Sequence, residues 1–115
     1  MRLLAAFQGC YFLLTGIWPL LSISSFQAVT GRKTDLWLVK TVGVLIIVIA
    51  LVLLLAAWRG ALSAEVIFLA VGSAVGLAGI DINYVTRRII SPIYLLDAVL
   101  EIGLLLLWTI AILST

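Results

Sequence analysis

The chain has 115 residues and a net charge of +2; it is 65% hydrophobic, only 10% charged, and has a mean hydropathy of +1.36. Soluble domains run about 45–50% apolar and about 25% charged, and short chains have little interior in which to hide apolar surface, so a water-soluble fold is excluded. Histidine is absent and cysteine occurs once, at Cys10, which excludes histidine acid–base chemistry, an intrachain disulfide and a paired-thiol redox centre, and argues against zinc.

In chain order, "MRLLAAFQGC" comes first. It carries one arginine and a short apolar run broken by Gln8, with no A-x-A-like cleavage site, so it reads as the start of a span and not as a removed signal. In "FQGC", Phe7 stands where a lipoprotein-type site has leucine, and Cys10 reads as an ordinary apolar-face residue. A membrane crossing needs about 20 mostly apolar residues. Four segments qualify, at about 3–23, 38–58, 66–85 and 93–113. The expected fold is all-α: one membrane domain, 1–115, forming an antiparallel bundle of four transmembrane helices, since the links between spans are short.

The first span carries Gln8, Tyr11 and Thr15 on one stripe, which ordinary interhelical hydrogen bonding explains. Pro19 is expected to kink or end it. The connector "SSFQAVTGRKTDLW" follows, and Thr34 or Asp35 can cap the second span. Lys40 lies one turn into that span. The third span places Gly72, Gly76, Gly79 and Asn83 on one face and Asp81 with Tyr84 on the other. Small residues let backbones approach, so this span is expected to be the central, most buried helix, with its glycine face inside the bundle or against a second copy. The third connector ends in Ser91 and Pro92, a cap and a first-turn proline for the fourth span.

That last span reads "IYLLDAVLEIGLLLLWTIAIL". Asp97 and Glu101 are four apart and share a face. An ionised acid at mid-helix costs about 2.5–3.5 kcal/mol to insert, so both must face protein or water, and intramembrane acids are functional candidates by default. Lys40, Asp81, Asp97 and Glu101 are expected to converge at similar depth, with Arg32, Asp35 and Arg87 just above. Lys40 is then the expected buried counter-ion of Glu101 or Asp81, while Tyr84 and Tyr94 are placed to donate to the acids.

Lysine and arginine set the orientation. Arg32, Lys33, Lys40, Arg87 and Arg88 lie on the side of the first and third connectors, against Arg2 and Arg59 on the side of the termini. Both termini are therefore expected outside the cytoplasm. Trp18 and Trp37 fall at the inner boundary and Trp58 and Trp108 near the outer one, the pattern of an interfacial belt.

The block "GIWPLLSISSFQAVTGRKTDLWLVKTVG" at 16–43, with "IDINYV" and "SPIYLLDAVLE", resembles a family of uncharacterised small bacterial four-span membrane proteins. The resemblance implies a bacterial inner membrane. At the level of architecture, four short spans with an aromatic–proline break in the first are similar to the DoxX-like superfamily. Three other groups fit poorly. Small multidrug exporters carry a glutamate in the middle of the first span, and this first span has no acid. The glycine–arginine signature of small fluoride channels is missing, as are the cysteine pairs of quinone-reducing thiol bundles.

Four functions remain open on this reading. In the first, Lys40, Asp81, Tyr84, Tyr94, Asp97 and Glu101 wall a cavity that binds a small amphipathic or lipid-like ligand, or they dock a membrane-protein partner. The second is a proton- or cation-coupled transporter, dimeric, with Asp97 and Glu101 exchanging; an accessory subunit locked by a buried ion-pair network is the structural alternative. A lipid-acting enzyme using Glu101 or Asp97 ranks last, because no nucleophile, metal motif or cofactor fingerprint accompanies the acids. No cofactor or metal is expected. Basic residues standing singly or in pairs, with no aromatic recognition motif, argue against nucleic acid.

Overall fold

The computed structural model of the protein describes residues 1–31 and 33–114. Five helices follow one another: α1 (Arg2–Leu21), α2 (Ile23–Thr30), α3 (Leu36–Arg59), α4 (Ala64–Thr86) and α5 (Tyr94–Leu113), with no strand among the described residues. All but α2 are long and apolar enough to cross a membrane. At about 1.5 Å per residue, the 24 residues of α3 rise about 36 Å and the 20 of α1 about 30 Å, the depth of a bilayer's hydrocarbon. The protein is a multi-pass membrane bundle whose span boundaries fall within a few residues of those read from the sequence.

The helix ends follow local chemistry. Pro19 lacks the N–H that would continue the ladder, and α1 stops two residues later at Leu21. Ser22 then leaves helical geometry, and its hydroxyl accepts from the Ser25 N–H at 3.4 Å. This starts α2, a short helix inside what the sequence presents as a connector. It folds back on α1, with the Phe26 ring edge-on to Trp18 at 5.3 Å and the Trp18 indole N–H donating to Ser25 Oγ at 2.9 Å. Asp35 stands at the start of α3 without a side-chain cap bond. Ser63 caps α4 by accepting from Val66 N at 3.3 Å. Pro92 supplies the turn before α5, where its carbonyl accepts from Leu95 N at 2.9 Å. At the far end of α3, Gly60 adopts φ +67°, the left-handed geometry that closes helices. Arg2 donates its Nε to the Ala57 carbonyl and a terminal nitrogen to the Trp58 carbonyl at 2.8 Å, covering the exposed acceptors there.

The spans associate as two pairs. α1 packs along α3 and α4 along α5, and the pairs touch each other far less extensively. The first pair is drawn together by glycine. A Cβ on Gly16 would stand 2.8 Å from the Gly43 carbonyl oxygen, one on Gly43 would stand 2.8 Å from that of Gly16, and one on Gly9 would meet Leu54 at 2.8 Å. The α4 glycines do the opposite. Gly72, Gly76 and Gly79 face outward, and a Cβ on Gly76 or Gly79 would meet nothing within 4 Å. The contact face of α4 is its alanine stripe, Ala70, Ala74 and Ala78, continued by Asp81. The expectation that the α4 glycines pack inside the bundle, and that this span is its centre, is therefore corrected: α1 is the most enclosed span.

The buried core lies at the end that carries both termini. Ala5 and Phe12 of α1, Leu53 and Ala57 of α3, and Leu104 and Trp108 of α5 fill it together with Ala70 of α4. Trp108 is fully buried, so it is a core residue and not part of a belt; Trp37 and Trp58, 68% and 77% exposed, keep that place at opposite ends. Gln8 sits in this core, its amide nitrogen donating to the Ala70 carbonyl at 2.9 Å and its oxygen accepting from the Trp108 indole N–H at 2.7 Å. One neutral side chain thus ties α1 to both members of the second pair. Cys10 faces outward.

Candidate functional site

At the other end, where the first and third connectors lie, the two pairs splay and enclose a cavity of about 600 Å³. Its walls are mostly apolar: Val39, Val42 and Ile46 from α3, Leu77 and Ile80 from α4, and Leu100 from α5. Val42, Ile80 and Leu100 of this wall are half or nearly half exposed. Trp18 and Pro19 contribute from α1, and Phe26 and Thr30 of α2 border the cavity from the connector side.

Three carboxyls stand in this apolar wall. Asp97 and Glu101 project from one face of α5, as their spacing requires. The antiparallel course of α4 brings Asp81 to the same cavity wall as Asp97. The Tyr11 hydroxyl of α1 donates to Asp97 Oδ1. Glu101 is fully buried and Asp81 is 5% exposed, yet both Glu101 oxygens and Asp81 Oδ2 have no hydrogen-bond partner among the described residues. Buried polar atoms without partners are rare in native folds and call for an explanation.

The cation that lines the cavity among the described residues is occupied elsewhere. Lys33 lines the cavity, but its ammonium donates to the Thr30 hydroxyl at 3.0 Å and to the carbonyls of Thr30 and Gly31 at 3.3 and 3.0 Å. It also lies 5.2 Å from the Phe26 ring centroid and 5.1 Å from that of Tyr94, within cation–π range. It is therefore an ammonium seated at the rim in a cradle of carbonyls and aromatic faces.

Of the residues singled out in the sequence, Asp81, Tyr94, Asp97 and Glu101 meet at the cavity. Tyr84 is half-buried but outside its wall, and Tyr94 serves Lys33 instead of an acid. Lys40 is not brought to the carboxyls. It is exposed, because the wall uses Leu38, Val39, Val42, Gly43 and Ile46 of α3, and a residue about 100° round from Val39 points away. The expected counter-ion role of Lys40 has no support in this geometry. Arg32 lies outside the described residues, and Arg87 and Arg88 are exposed in the third connector. Tyr11 is the partner that sequence reasoning missed, though its stripe with Gln8 and Thr15 was visible. Two of those three bond across helices, whereas Thr15 turns to its own helix at the Phe12 carbonyl, 3.0 Å away.

Chemically, the arrangement is an apolar chamber bordered by three carboxyls. Compared with protein-family models, with curated proteins and with solved structures, the chain finds no match.

Proposed function

We propose that the protein is a ligand-binding bundle of a bacterial inner membrane, with both termini outside the cytoplasm and with a small amphipathic molecule as the occupant of the cavity between its helix pairs. The carrying observation is the coincidence of a chamber of about 600 Å³ with three buried carboxyl oxygens that have no hydrogen-bond partner among the described residues. Small-molecule sites run about 300–1,000 Å³ and are mostly apolar with a few convergent polar groups, which is the make-up of this wall. The orientation rests on the lysine and arginine excess beside the cavity end.

The alternatives fit less well. Transport needs access from both faces, and the terminal end is filled by Phe12, Leu53, Leu104 and Trp108. A locked ion-pair network needs a cation on the acids, and Lys40 and Lys33 are both turned elsewhere.

Native mass spectrometry of the protein extracted from its own membrane tests the reading. The wild type should retain a small molecule that Val42→Trp, which fills the chamber from its wall, releases. A wild type that is free of ligand, or a retained molecule indifferent to Val42→Trp, contradicts it.

A further inference from the structure

We infer that the occupant carries an oxyanion head, seated in a second cavity between the first and third connectors, with its apolar part in the chamber. This rests on the ligand-binding reading above and goes beyond it, since it fixes the charge of the head and the end at which the head sits.

The second cavity, of about 370 Å³, adjoins the chamber: Thr30, Lys33, Leu38, Val39 and Ile90 line both. Its polar lining adds Thr34, Asp35 and Ser91. A molecule that fills the two has one end among aliphatic side chains and the other among hydroxyls and charges, which describes an amphiphile with its head at the connectors.

Charge changes along this path. The acids of α5 lie deep: Asp97 and Glu101 stand ~4.5 and ~10 Å along the helix from Tyr94, and both Glu101 oxygens are buried out of an occupant's reach. The cations lie at the connectors. Lys33 is on the wall common to both cavities, and Lys40, Arg87 and Arg88 are exposed at the same end, against Asp35 on the second cavity's wall. Lys33 touches carbonyls, a hydroxyl and two aromatic faces. None of these is charged, so its field is left to attract an anion. Tyr94 lines the chamber, and its hydroxyl makes no hydrogen bond among the described residues, a donor left for the head. Arg88 holds φ +59°, a helix-ending geometry that glycine adopts with less strain, and it directly precedes Ile89 of the second cavity's wall. Oxyanions pair with ammonium and guanidinium groups through charge-assisted hydrogen bonds. In the proposed orientation this end also meets the cytoplasmic leaflet, whose surface is anionic.

The test offers the delipidated full chain, in detergent, three probes with one acyl chain: myristoyl-lysophosphatidylglycerol (anionic phosphodiester), myristate (anionic carboxylate) and myristoyl-lysophosphatidylcholine (no net charge). Native mass spectrometry reads retention, and Val42→Trp defines non-specific uptake. At least one anion should be retained about fivefold or more over the uncharged probe, the effect of a single nearby lysine or arginine; the tighter of the two identifies the head as phosphodiester or carboxylate. Lys33→Gln and Arg88→Gly should each lower that preference about fivefold and leave the uncharged probe unchanged. Arg88→Gly should also keep or raise the melting temperature, which separates loss of the site from loss of the fold. Arg59→Gln, exposed at the far end of α3, should leave the preference intact, and Thr34→Trp, which fills the second cavity, should release the anion. If all three probes are retained alike and Val42→Trp releases them, the charge assignment is overturned while the ligand-binding reading stands. If no probe is retained in a manner sensitive to Val42→Trp, both fall. Anion retention indifferent to Thr34→Trp, or lowered as much by Arg59→Gln as by Arg88→Gly, overturns the seat between the connectors.

Discussion

The two ends of the bundle solve the same problem differently. At the terminal end, α1 reaches both helices of the second pair through Gln8, whose two polar atoms are matched to Ala70 and Trp108, and the surrounding space is filled by side chains. At the connector end the same helices diverge around a chamber walled by acids whose oxygens are only partly matched. Within lipid, helix association gains little from hydrophobicity and depends on packing and interhelical hydrogen bonds. One end therefore holds the fold together, and the other leaves the chamber that the proposed ligand would fill. Pro19 lies two residues from the end of α1, and both it and α2 border the chamber.

The contrast should be broken first by glycine substitutions. Gly16→Leu puts a side chain where even a Cβ lies 2.8 Å from the backbone oxygen of Gly43. The close approach of α1 and α3 cannot survive it, and a loss of about 3 kcal/mol or more is expected. Gly76→Leu, on the outward face of α4, should change stability by less than about 0.5 kcal/mol. Unfolding in mixed micelles compares them; equal effects would mean that the helix pairing is misassigned.

A smaller effect is expected at the neutral clamp. Gln8→Leu leaves the buried Trp108 N–H without an acceptor, which should cost about 1–2 kcal/mol and shift Trp108 emission. Smaller still is Glu101→Gln. Glu101 has no hydrogen-bond partner among the described residues, so thermal unfolding in detergent should show no loss, or a gain of up to about 1 kcal/mol, where a paired buried acid would cost several. Lys40→Met should likewise leave stability unchanged; a marked loss would restore Lys40 as the counter-ion.

How much of this is legible in the sequence depends on the kind of signal. The four spans are legible because length and apolarity fix them locally, and so is the shared face of Asp97 and Glu101, a matter of period alone. Asp81 reaches them because α4 and α5 are joined by a short link that sets their relative depth. What is not legible is which face of each helix meets its neighbour. Gly72, Gly76 and Gly79 looked like a packing stripe, but the alanines on the other side of α4 take that role. Lys40 looked like a counter-ion at the right depth, yet it lies on the wrong side of α3. Trp108 looked like a boundary residue, and its depth hid its link to Gln8. The helix α2 was masked by a serine-rich, polar composition that reads as a loop.

The account depends most on the claim that one end is packed and the other hollow along the same helix. With Cys10→Ser removing the native thiol, Ala5→Cys places a probe in the packed end of α1 and Thr15→Cys places one on the cavity wall. In detergent at about pH 8, where water enters the chamber and thiols ionise, N-ethylmaleimide should label Thr15→Cys much faster than Ala5→Cys. Equal protection of both, or equal labelling of both, would contradict the account.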